Sequence, residues 1–252
     1  KKIADNLILS LPYSLTKSQK NVVEEINRDL LSKKRMFRIL QGDVGSGKTI
    51  VSLISAANVV DSGFQVGLMA PTEILAKQHF NLALKTFKEF NIKIELLTGK
   101  TESKNKKIIL EKLRTKKIDF LIGTHALFQK KVEFQKLGLI IIDEQHKFGV
   151  RQRMNLAKKG GDNCDVLLMS ATPIPRTMMM SIYGDMDVSK ITEKPLNRKE
   201  VVTLSKPENK IGEIINFIKK KIDIKEQVFW VCPLIDESSK LDFSSTMKKF
   251  DY

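Results

Sequence analysis

The sequence predicts an α/β fold in which a mostly parallel sheet is covered by helices on both faces. Three observations carry that expectation. Apolar runs of strand length recur along the first 170 residues, helix-period segments separate several of them, and the runs are near-continuously apolar. A strand that is apolar on both sides is buried on both sides, which is the condition of a parallel sheet flanked by helices.

The runs are MFRIL (36–40), QVGLMA (65–70), IKIELL (92–97), DFLIG (119–123), LGLIII (137–142) and DVLLMS (165–170). From Ile50 to Val60 the chain is apolar on most faces and then meets Gly63, a C-cap signal. Ile74, Leu75, Gln78, Leu82 and Phe87 fit an amphipathic helix. Past residue 195 the texture changes. KPLNRKEVVTLSKPENK is polar, holds two prolines and reads as a linker or connecting strand. A helix (Ile211 to Lys221) and a strand (QVFWVC, 227–232) follow. The expected division is a nucleotide-binding domain over 1–195, then a linker and the start of a second domain over 196–252.

With 42% hydrophobic and 29% charged residues the chain is globular rather than disordered. It has no run of 18 apolar residues, so no membrane span is expected. The N-terminus shows no signal peptide and no initiator Met, and reads as an excerpt of a longer chain or a processed one. Cys164 and Cys232 lie beside or within apolar runs and read as small buried hydrophobes in a reducing compartment. The net charge of +15 would attract a phosphate backbone. The 44 basic residues are 36 Lys and 8 Arg, however, so a solvated lysine-rich face explains the charge equally well.

GDVGSGKT (42–49) follows a strand and opens a helix. It satisfies the phosphate-loop pattern, in which glycines let backbone N–H groups wrap phosphates at a helix N-terminus. Gly42, Asp43, Val44, Gly45, Ser46, Gly47, Lys48 and Thr49 form the loop. Lys48 is expected to reach the terminal phosphates of ATP, and the Thr49 hydroxyl to ligate Mg²⁺. The strand LGLIII ends on two acids, Asp143 and Glu144. Beside a phosphate loop they read as a second Mg²⁺ ligand and as the group that orients or deprotonates the attacking water. In MSATPIPRT, Ser170 and Thr172 can bond across a strand end, or simply cap a helix started by Pro173 and Pro175.

Together GDVGSGKT, APTEILAKQH, GTHALFQ, IIIDEQHKFGVRQR and MSATPIPRT resemble motifs I, Ia, Ib, II and III of superfamily 2 helicases, and most closely the RecG family of ATP-dependent DNA helicases. LPYSLTKSQ, TGK (98–100) and VCPLIDES (231–238) add to the resemblance, while PIPRT and the FGV segment are also similar to the transcription-coupled repair translocase. The resemblance covers essentially the whole chain. It implies RecA-like domains, a cytoplasmic and monomeric enzyme of DNA repair and recombination, and branched or forked DNA bound without sequence preference. It implies that Gln19 contacts adenine, that His146 of the DEAH-like box acts with Asp143 and Glu144, and that His146 with Ser170, Ala171 and Thr172 couples nucleotide state to DNA movement. Pro71, Thr72, Gly99, Lys100, Gly123, Thr124 and His125 would line the DNA track, where phosphate contacts position without reading bases. His125 also fits a structural histidine, and His79, inside a helix pattern, reads as one. A wedge domain and the later motifs of a second motor domain fall outside the match, so these 252 residues alone are expected to be a poor ATPase and no helicase. Another superfamily 2 motor, or a remnant that binds without turnover, are the alternatives.

Overall fold

A computed structural model describes residues 2–143, 164–172, 186–193 and 201–231. Glu144, His146, the FGVRQR segment, the residues from Pro173 to Arg176, Cys232 and most of VCPLIDES lie outside the described residues. The chain divides into two compact units, Lys1–Arg198 and Lys199–Tyr252.

In the first unit, helices α1 (Lys2–Ser10) and α2 (Lys17–Leu30) precede strand β1 (Phe37–Gly42). Then come α3 (Lys48–Asp61), β2 (Gln65–Met69), α4 (Glu73–Thr86), β3 (Ile94–Leu97), α5 (Ser103–Arg114), β4 (Phe120–Gly123), a 3₁₀ turn (His125–Phe128), β5 (Leu137–Ile142), β6 (Asp165–Ser170) and β7 (Asp187–Ile191). The seven strands form one sheet in the order β3-β4-β2-β5-β6-β1-β7, with every pair parallel. This is the parallel α/β arrangement that the apolar runs predict, and it agrees with the RecA-like domain that the resemblance implies. Alternate residues of each strand feed two cores. Leu40, Leu68, Ile141 and Leu167 pack with α1, α2 and α3, while Ile39, Met69, Ile140 and Leu168 pack with Ile109 and Leu113 of α5. The helix α3 is buried along nearly its whole length, and Gly63 closes its end by donating to the Val60 carbonyl at 2.8 Å.

Three local expectations are corrected. In α4, Ile74 and Leu82 are 73% and 40% exposed, and the buried face carries Ala76, His79, Ala83 and, just past its end, Phe87. The helix exists, but its apolar phase is set by what it packs on. Strand β7 was not among the six runs, because DVSKI is an edge strand with alternating exposure. No strand forms over 227–231, where Phe229 and Val231 are 87% and 88% exposed. A strand needs a neighbour to pair with, and the described part of the second unit (201–231) holds a 3₁₀ turn (Glu208–Lys210) and helix α6 (Ile211–Asp223) but no strand.

One charged cluster ties the sheet edge to α2. Arg38 of β1 is 8% exposed. Its guanidinium donates to Asp29 at 2.7 Å and to Ser189 Oγ of β7 at 2.8 Å, and approaches Glu25 at 3.5 Å. Ser189 in turn donates to Glu25. A buried guanidinium is tolerated because its donors meet paired acceptors.

At the start of β6, the strand beside β1, burial pushes the Asp165 carboxyl up to about 6 from its usual 3.8. Its Oδ1 still accepts the Met36 N–H at 2.7 Å. The folded state therefore holds the proton more tightly than the unfolded chain. The contribution of this group to stability is fully present below about pH 4 and is lost as pH rises through 6. Asp165→Asn keeps the acceptor and removes the charge. It should stabilise the protein at pH 8 by about 2 kcal/mol, with the gain vanishing below pH 4. Melting curves of both proteins across that range check it; a gain that does not change with pH would contradict it.

Candidate nucleotide and nucleic-acid site

The loop between β1 and α3 has the backbone its sequence requires. Gly45 and Gly47 take φ of 76° and 93°, in the left-handed region that favours glycine. Gly47 is the N-cap of α3, and a Cβ there would also run into Gln19 Nε2. The Lys48 ammonium donates to the Gly42 and Asp43 carbonyls at 2.5 and 3.0 Å. Ser46 is 2% exposed, and its hydroxyl has no hydrogen-bond partner among the described residues. The Ser46 hydroxyl packs against Gly42, where a Cβ would collide with it, so Gly42 leaves the room this side chain occupies.

Gln19 braces this loop. It is the third residue of a reciprocal capping box on α2, where the Thr16 N–H donates to Gln19 Oε1 and the Gln19 N–H to Thr16 Oγ1. Its amide Nε2 donates to the Ser46 carbonyl at 2.8 Å. The expected adenine contact is thus a residue that also fixes the phosphate loop. Glu193, just after β7, holds the same helix end: its carboxylate accepts the Ser18 N–H at 2.8 Å. Hydrogen bonds from the Ser18 N–H and Thr16 hydroxyl hold the Glu193 carboxyl below the usual range. Nothing in the local sequence around Glu193 signals this role.

Strand order then sorts the candidate residues into two groups. The carboxyl ends of β5, β6 and β1 are adjacent, with Ile142 beside Leu168 and Gln41 beside Ser170. Asp143, Ser170 and the phosphate loop therefore share one edge within two strand spacings, about 10 Å. Asp143 is 9% exposed, and Ser170 is buried with its hydroxyl bonded to Thr172. Ala171 is half-buried and Thr172 exposed, so the pair closes on itself at the strand end.

The carboxyl ends of β3, β4 and β2 make the second group. Thr98 to Lys100 follow β3, Gly123 ends β4 with Thr124 and His125 after it, and Pro71 and Thr72 follow β2. These ends are laced by Ala70 N–H to Gly123 carbonyl (2.9 Å) and Thr124 N–H to Leu97 carbonyl (3.3 Å). Gly123 needs to be glycine because a Cβ would collide with the Leu97 carbonyl oxygen. Thr72, Gly99, Lys100 and His125 are exposed and Pro71 is half-buried, whereas Gly123 and Thr124 are buried. The Thr124 hydroxyl has no hydrogen-bond partner among the described residues. The structure therefore brings the second group to one rim but leaves the Thr124 side chain beneath it.

For a magnesium ion the donors present are hard oxygens, the Thr49 hydroxyl and the Asp143 carboxylate, of the kind Mg²⁺ takes. Among the described residues no group of three or more His, Cys, Asp or Glu side chains gathers for a metal. A nucleotide-bound Mg²⁺ needs only one or two protein oxygens, because phosphates and water supply the rest. The donor set fits such an ion. Outside this edge, Cys164 is fully buried, and burial pushes its thiol up to about 12. It is an inert packing residue, as its neighbourhood predicts.

A parallel sheet with a phosphate loop and an acid on its carboxyl edge is the arrangement of phosphate-loop nucleotide-binding domains. The chain belongs to the DEAD/DEAH box helicase family, whose model matches residues 16–181. It is 47% identical over 251 residues to the ATP-dependent DNA helicase RecG of Thermotoga maritima, covering 100% of this chain and 32% of that protein. It is 46% identical over 244 residues to RecG of Bacillus subtilis, covering 97% and 36%. A solved structure of RecG bound to a three-way DNA junction superposes with a TM-score of 0.81 at 45% identity, covering 93% of this chain and 31% of that one. The DEAD-box helicase Mss116 bound to single-stranded RNA, at 20% identity and a TM-score of 0.66, shares the fold. The resemblance to RecG carried by the motifs is borne out, and the chain spans about a third of the length of these relatives. Helicases of this family use nucleotide. No helix among the described residues is long and apolar enough to cross a membrane.

His79, expected as a structural histidine inside a helix, has a partner that the sequence reading did not name. It is 8% exposed on α4, and its Nε2 lies 2.7 Å from Asp143 Oδ2. Its position in APTEILAKQH, one of the motifs carrying the resemblance, was the available signal.

Proposed function

We propose that the protein is an ATP-dependent DNA helicase or translocase of the RecG type, acting in the cytoplasm on branched DNA in repair and recombination. The reading rests above all on the phosphate loop, whose left-handed glycines sit on the same sheet edge as Asp143. Residues 1–195 are its first RecA-like motor domain, and 196–252 lead into the second. Lys48 and the loop amides hold the ATP phosphates, Gln19 meets adenine, and Thr49 with Asp143 holds Mg²⁺. When bound, that ion draws charge from the phosphates. Glu144 orients the attacking water, and His146 with Ser170, Ala171 and Thr172 couples the nucleotide to DNA movement. Pro71, Thr72, Gly99, Lys100 and His125, with the backbones of Gly123 and Thr124, face the DNA phosphates. Similarity to RecG, one solved structure of which is bound to a three-way junction, supports branched DNA as the substrate.

Two variants test the division of labour. Asp143→Asn should lose most of the magnesium-dependent gain in ADP affinity, because a neutral amide is a poor Mg²⁺ partner. Glu144→Gln should keep that affinity and lose ATP turnover by 10²-fold or more, about what a positioned general base contributes. Calorimetry and turnover on the full-length protein with three-way-junction DNA measure both. Variants that fail alike would sink the assignment, and stimulation by RNA instead of junction DNA would overturn the substrate.

A further inference from the structure

We infer that His79 is a positioning residue for hydrolysis: it fixes the Asp143 carboxylate and joins the nucleic-acid group of loops to the nucleotide group. The inference rests on the reading of Asp143 as a metal ligand. The contact is buried on both sides, with the two side chains 10% and 12% exposed. A carboxylate oxygen accepts, so the ring donates its Nε2–H. With Oδ2 held, the carboxylate is no longer free to turn, and the direction of its other oxygen is set. Partners of this kind behind a metal-binding group typically change metal affinity by about 10–100-fold.

The same helix reaches the opposite group. Thr72 caps α4, its hydroxyl accepting the Leu75 N–H. Glu73, the first residue of α4, accepts the Lys100 N–H at 3.2 Å, and its other oxygen pairs with the Lys100 ammonium at 3.3 Å. His79 lies seven residues past Thr72, about 10 Å along the helix. Asp143 is also tied to this region by its backbone, since its N–H donates to the carbonyl of Met69, the last residue of β2. Asp143 therefore hangs from both ends of the β2–α4 connection: by its main chain from the strand, and by its side chain from the helix. A shift of Thr72 and Glu73 under a DNA phosphate moves the group that aims the carboxylate. Sheet order makes this contact cross between groups, since β2 and β5 are the neighbours at which they meet.

The test compares two amides of different reach in the full-length protein. A glutamine at this position can place its Nε2 near that of the histidine; an asparagine is too short. ADP affinity is measured by calorimetry with and without Mg²⁺. His79→Gln should keep most of the magnesium-dependent gain, His79→Asn should lose about tenfold of it, and affinity without Mg²⁺ should be unchanged in both. Three-way-junction DNA should alter the gain in the wild type and leave His79→Asn unmoved. Equal behaviour of the two variants, or a wild-type DNA response in His79→Asn, overturns the inference. Asp143→Asn serves as the control: a full magnesium-dependent gain there would overturn the metal-ligand reading itself.

Discussion

Lys48→Ala is expected to weaken nucleotide binding by about a hundredfold or more. In the folded protein the ammonium sits against two carbonyls of its own loop, 2.5 and 3.0 Å from the Gly42 and Asp43 oxygens. The residue is half-buried at the start of α3. Truncating one partner of a close charge pair costs about 2–5 kcal/mol, and each 1.4 kcal/mol is tenfold in affinity. The same change removes two hydrogen bonds to carbonyls, so the nucleotide-free protein should melt a few degrees lower. The discriminating measurement is thus the shift in melting temperature on adding ADP and Mg²⁺, checked by calorimetry. The wild type should gain stability with the logarithm of ligand concentration above the dissociation constant, and the variant should gain almost nothing. An unchanged affinity would mean that the loop does not hold phosphates through Lys48.

The largest loss of stability should follow Arg38→Met. Methionine keeps most of the volume, so the change removes charge more than packing. It leaves Asp29, Glu25 and Ser189 facing each other without their shared donor. Removing one partner of a buried ion pair costs about 3–5 kcal/mol. The lower end applies here, because the Glu25 and Asp29 side chains keep 40% and 25% of their exposure. For a unit of this size about 3 kcal/mol corresponds to a fall of roughly 6–12 °C. Adding Asp29→Asn to the variant should recover part of it, since one unpaired charge is gone. A fall under 2 °C would show that the cluster contributes little beyond surface pairing.

The sequence by itself determined the sheet and the phosphate loop. Six apolar runs became six strands within one or two residues, because strands buried on both faces are near-continuously apolar. The loop from Gly42 to Thr49 was legible for a related reason: its chemistry is contiguous, and φ values of 76° and 93° at Gly45 and Gly47 ask for glycine where glycine stands. Asp143 was legible because it ends an apolar strand. What depended on a partner was not legible. The α4 face turned away from Ile74 and Leu82 because the residues it covers belong to other elements. The QVFWV strand did not form, for want of a neighbouring strand among the described residues. Only the tertiary structure set His79 on Asp143, 64 residues away, Gln19 on the Ser46 carbonyl, 27 away, and Arg38 on Ser189, 151 away. A hydrogen bond needs its two atoms within about 3 Å and aligned. Residues this far apart in the chain meet only when a sheet order brings their strands and helices together, and no local pattern at either residue records that meeting.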